Sequence, residues 1–335
     1  MRYSFWAIKR EKYIWIAVWI VLVLVQGCAY HRPLPEEPFL NAYVAQGPEP
    51  SEAVRWAPVF IVHEYAERYN RIGRPTVRQE ADKSQEVFVD PEYPTIYFMQ
   101  RQFTTQRGSY TNLIYRIHFP EIPFSLIPFN LSAGDNVGLM TVITLDGKGH
   151  PVLVSTVHTC GCYKAIVPTN YLPQDAFPKD WTGRPLAVYG ERLPAVLDFG
   201  QTPSPLLLIH LRPEVHRVMD IEIIPAEQLS SDRYHRFWMK MEAMDVLNRL
   251  PADDGTASFY YQKGLLKGHV KGAIKPWETL LMSWISMDLF VGMDKAYADP
   301  AVSGNPFYTS LKPWRRSDSN MWDFRRFLHY WGWRL

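Results

Sequence analysis

A chain of 335 residues, 47% of them hydrophobic and 21% charged, can bury a sizeable core and is neither disordered nor collagen-like. Its formal charge is +2, and without residues 1–27 it holds 32 basic against 33 acidic side chains. A body so close to neutral lacks the basic footprint of a nucleic-acid binder, so no nucleic acid is expected as a partner.

The chain opens with Arg2, Lys9, Arg10 and Lys12, followed by a 13-residue apolar run, Tyr13–Val25. Crossing ~30 Å of hydrocarbon at ~1.5 Å per residue takes ~20 apolar residues, so this run is too short for an ordinary span and reads as the apolar part of an export signal. The following Val25-Gln26-Gly27-Cys28 resembles the lipobox of bacterial lipoproteins. That resemblance implies cleavage before Cys28, acylation of its thiol with palmitate-type chains, and stable attachment to a membrane. Ala29 in place of Asp implies, by the same analogy, the periplasmic face of the outer membrane. The leader therefore covers 1–27. A proline-rich tether is expected over 28–56, from Tyr30–Pro38 and Gly47–Pro50, and an envelope protein is a candidate partner.

From Ala57 short apolar or alternating runs are bounded by Pro, Gly and Asn, which predicts a β-rich region over 57–228. Strands are expected at Val59–Val62, Glu86–Val89, Thr95–Met99, Leu113–Phe119, Ala187–Tyr189, Leu206–Leu211 and Ile221–Ile224. Val137–Leu145 and His150–His158 flank Asp146-Gly-Lys-Gly149, the chemistry of a hairpin turn. A helical region is expected over 229–335. Its first helix runs from a cap at Asp232 through Leu250. Its second starts at Pro276, reaches about Tyr297 and is buried along Leu280–Met293. Its third spans about 318–331. Strands followed by helices predict an α+β fold, an antiparallel β-rich core with the C-terminal helical segment packed on it as one domain. The aromatic and basic stretch Leu311–Leu335 reads as domain packing, with docking at a lipid interface as the alternative.

The chemistry centres on His158-Thr-Cys160-Gly-Cys162. If the strand continues, period two puts His158, Cys160 and Cys162 on one face, where sulfur and imidazole would suit Zn or Cu; His118, His150 or His216 could be a fourth ligand. A second reading makes Cys162 or Cys160 the nucleophile of an envelope hydrolase or transferase, with a His as base. Thr159–Lys164 is similar to the S-H-G-C-[IV]-R motif of L,D-transpeptidases, which would imply a Cys thioester. However, Cys160 stands where that family has His, Lys164 where it has Arg, and no H-G pair lies at the usual distance upstream. A third reading is a Cys160–Cys162 disulfide, tight and easily reduced, and a fourth is two buried thiols beside a satisfied His. Three further features need partners. Arg116 and His118 share a strand face, Asp288 falls inside an apolar helix, and His210, Arg212, His216 and Arg217 form a basic cluster around Pro213, either a solvated loop or a site for an anionic group.

Overall fold

The computed structural model describes residues 33–47, 51–79, 85–126, 129–200, 202–253 and 255–335; the leader, Cys28 and the start of the tether lie outside them. In chain order the strands are β1 Leu40–Gln46, β2 Val59–Val62, β3 Arg74–Gln79, β4 Gln85–Asp90, β5 Thr95–Thr105, β6 Gly108–Ile122, β7 Gly134–Leu145 and β8 Pro151–His158. There follow β9 Ala165–Pro168, β10 Leu186–Val188, β11 Glu191–Leu193, β12 Pro205–Leu211, β13 Val218–Pro225, β14 Tyr234–Ala243, β15 Leu250–Ala252 and β16 Gly255–Ala257. The helices are short: α1 Glu52–Arg55, α2 Pro276–Ser286, α3 Pro300–Ser303 and α4 Phe324–Tyr330. No helix of the described residues is long and apolar enough to cross a membrane.

Ten strands form one sheet in the order β13-β12-β2-β1-β14-β5-β6-β7-β8-β9. The α+β expectation holds, but the sheet is mixed, since β12 with β2, β1 with β14 and β14 with β5 run parallel. All ten strands send side chains into a single buried cluster, from Tyr43, Phe60 and Ile96 through Leu113, Leu139, Val154 and Val167 to Ile209, Ile221 and Met239. At ~4.8 Å per strand a flat sheet of this size would be ~45 Å wide. A shared cluster therefore requires the sheet to curl around its core.

On the outer face of β5–β8, Tyr97, Ile114, Met140, Val142 and Val157 pack against Phe259, Phe307, Phe327 and Trp333 of the C-terminal region. Burial on both faces explains why β7 and β8 read as nearly unbroken apolar runs. Their turn forms as its residues dictate, with Gly149 N–H donating to the Asp146 carbonyl and the Asp146 side chain accepting from the N–H groups of Lys148 and His150.

Five expectations are corrected. Residues 40–46 are not part of a spacer; β1 is an interior strand hydrogen-bonded to β2 and β14. Tyr234–Ala243 is strand rather than helix. Its Phe237, Met239 and Met241 alternate inward, and its backbone fills the gap between β1 and β5, whose donors and acceptors would otherwise be unpaired. The second helix starts at Pro276 as expected but stops at Ser286, where Met287 takes a left-handed conformation (φ 52°), Ser286 Oγ donates to the Met282 carbonyl and Asp288 accepts from Phe290 N–H. Nor is α2 buried: Leu280, Trp284 and Met287 are 65%, 75% and 77% exposed. The last helix is only seven residues long, and Phe324, Phe327 and Leu328 bury it against the sheet, the packing role expected for 311–335.

Because β1 is interior, Tyr43→Ala should cost about 3–5 kcal/mol, the usual range for emptying a buried aromatic site. Urea unfolding of the variant measures this, and an unchanged midpoint would mean that 40–46 is only a spacer after all.

Candidate functional site

β8 ends at His158, and the chain turns over Thr159 and Cys160 instead of continuing as strand. This turn, not a two-residue period, gathers the three predicted side chains. His158 N–H donates to the Cys162 carbonyl at 3.0 Å and Gly161 N–H to the His158 carbonyl at 2.8 Å. Gly161 adopts φ 93°, and a Cβ there would run into the Tyr308 carbonyl oxygen, so only glycine fits.

Cys160 and Cys162 are joined as a disulfide. One ligand atom from each of His158, Cys160 and Cys162 falls within 4.8 Å of the others. In this oxidised form neither sulfur is a thiolate, so neither can bind a soft metal or attack a carbonyl until the bond is reduced. His158 is buried beside the bridge, with its ring edge-on to Tyr163. Burial, and then the nearby Lys275 ammonium, pushes its pKa down to about 3, so the ring is neutral at physiological pH.

None of the expected fourth ligands joins the group. His118 Nε2 accepts from Arg116 Nε at 2.8 Å, and His216 stacks on Phe119 and bonds the Glu121 carbonyl. His150 sits at the far end of β8, beside Asp146 and Tyr171.

The turn is held by buried charges that sequence reasoning missed. Lys275 and Asp294 pair at 2.9 Å with both side chains fully buried. Asp294 also accepts from Gly138 N–H at 3.1 Å and from the Thr159 hydroxyl. Lys295 Nζ donates to the carbonyls of Cys160 (2.9 Å) and Met293 (3.1 Å), and Arg116 donates to the Lys295 carbonyl. Burial lowers the Lys295 pKa to about 8. The available signal was the pair Asp294-Lys295 inside the apolar stretch 291–297, since buried charges occur only with partners.

Above the disulfide lies a cleft of about 150 Å³ lined by Cys160, Gly161, Cys162, Glu278, Met282 and Tyr308 among others. Glu278 Oε2 is buried and has no hydrogen-bond partner among the described residues. The cleft is thus mostly apolar, with one carboxylate able to receive a donor.

The remaining polar residues separate. Asp288 lies just past α2, accepts from the Tyr308 hydroxyl and sits 3.8 Å from Arg316, so Arg116 is not its partner. The basic cluster dissolves: Arg212 and Arg217 both grip the buried carboxylate of Glu191, which is the anionic group they serve. His210 points to the other face of β12.

Two outcomes follow. Asp294→Asn leaves Lys275 buried without its counter-charge and should cost about 3–5 kcal/mol in urea unfolding. The second concerns pH. Burial also depresses His216 and His269, each to about 4, so with His158 three histidines are neutral when folded yet take up a proton near pH 6.5 when unfolded. The stability they confer is complete above pH 6.5 and is lost as pH falls toward 4, about 2 kcal/mol for each between pH 7 and pH 5. Chemical denaturation at the two pH values checks the sign; equal midpoints would contradict it.

No family model, no curated protein and no solved structure matches the chain. Its function is therefore read from the chemistry of this site.

Proposed function

We propose that the chain is a lipid-anchored protein of the cell envelope, held through Cys28 at the periplasmic face of the outer membrane. In this reading it acts as a binding or accessory protein whose working site is the cleft over the Cys160–Cys162 bridge. The observation that carries the site is the bridge itself: a disulfide between residues two apart, lining a cleft and backed by a buried imidazole. Ring closure over two residues removes little chain entropy, so the bond contributes little as a staple and is better suited to switching. A dithiol reductant would convert it to two thiols and itself become a disulfide, after which His158 and two thiolates form a donor set for Zn or Cu. A thiol hydrolase or transferase would need the same prior reduction, and its base would be a histidine that burial keeps neutral.

The anchor rests on the lipobox-like sequence and on the exposed apolar side chains of α2, a surface able to lie against lipid or an envelope protein. Cleft and exposed face share this helix, through Glu278 and Met282 on one side and Leu280 and Trp284 on the other.

The test has two parts. Labelled palmitate is expected on the wild-type chain and not on Cys28→Ala; an unlabelled wild-type chain would overturn the anchor. Titration against dithiothreitol redox buffers is expected to release two thiols together while the thermal transition persists. A bridge that opens only as the protein unfolds is a structural staple, and that result would overturn the switch.

A further inference from the structure

A second group of titratable side chains lies far from the cysteines in sequence, on the outer face of the sheet near its β13 edge. Period two places it there. In β2, Val59 and Ile61 belong to a small outer cluster, and in β12 so does Leu208, so the next positions on the same face are His63 and His210. Glu222 of β13 continues that face, and Glu37 approaches from the segment leading into β1.

The four residues form a chain. Glu37 Oε2 lies 2.9 Å from His63 Nδ1, His63 Nε2 lies 3.4 Å from His210 Nδ1, and His210 Nε2 lies 2.9 Å from Glu222 Oε1. The other oxygen of Glu37 accepts from Glu64 N–H at 2.8 Å. With each imidazole donating to its carboxylate, His63 through Nδ1 and His210 through Nε2, the two remaining nitrogens face each other. Facing nitrogens 3.4 Å apart either share one proton or, both deprotonated, offer two lone pairs to a single cation. Two nitrogens bound at ~2.0–2.1 Å to one tetrahedral ion stand about 3.4 Å apart. Imidazole ligands oriented by carboxylates on their second nitrogen are also the usual outer shell of a histidine metal site.

We propose that His63 Nε2 and His210 Nδ1 bind one borderline transition-metal cation, Zn²⁺ or Cu²⁺, with Glu37 and Glu222 fixing the ring orientations. Two protein ligands leave coordination positions for solvent or an incoming donor, so the site suits exchange of the ion rather than its permanent retention. It is independent of the cysteines and of the lipid anchor.

The test uses the full chain carrying Cys160→Ser and Cys162→Ser, which silences the other donor set. Calorimetric titration with Zn²⁺ should give one saturable site. Cu²⁺ paramagnetic resonance should show coupling to two nitrogens. His63→Gln and His210→Gln should each abolish that two-nitrogen signature, and Glu222→Gln should weaken Zn²⁺ binding 10–100-fold, all with unchanged thermal transitions. Absence of saturable binding, or binding indifferent to both histidine variants, would overturn the proposal. So would NMR showing that the imidazole pair takes up a proton and is undisturbed by Zn²⁺.

Discussion

One buried carboxylate organises the cysteine turn and the elements packed around it. Asp294 receives a strand amide from Gly138, a hydroxyl from Thr159 and an ammonium from Lys275, three groups from β7, the cysteine turn and the approach to α2. A charge in such a place is tolerated only when its surroundings supply donors on every side. The C-terminal region must therefore dock in one register on the sheet, and the cysteine turn is held in the same act. Lys295, next in sequence, fixes the carbonyl of Cys160 from below. The bridge thus rests on a charged platform inside the protein, and no flexible loop carries it.

Much of the sheet was legible because strands buried on both faces leave an unmistakable pattern. The hairpin around Asp146–Gly149 and the run at 59–62 needed only apolarity, β-branching and turn residues. β14 was not legible in the same way. Its Met, Lys and Glu favour helix, and the decisive fact, two open backbone edges waiting on β1 and β5, is a property of distant sequence. α2 misled in the opposite sense. A segment apolar nearly all round implies burial unless a surface is left to meet something else, and sequence alone does not distinguish the two.

At the site, sequence identified the residues but not the geometry. His158, Cys160 and Cys162 do converge, through a turn requiring Gly161 and not through strand alternation. Lys275, Glu278 and Asp294 went unnoticed because each is an ordinary charged residue until the fold buries it. The histidine pair at 63 and 210 was equally hidden, since the parallel pairing of β2 with β12 brings together positions 147 residues apart.

The parallel pairing of Leu40 with Tyr234 has a consequence for how the chain is born. The central seam of the sheet cannot close until a strand nearly two hundred residues downstream has left the ribosome, so synthesis must run far ahead of folding. Until then β1 has only β2 beside it, and the edges of β1 and β5 that will receive the late strand wait unpaired.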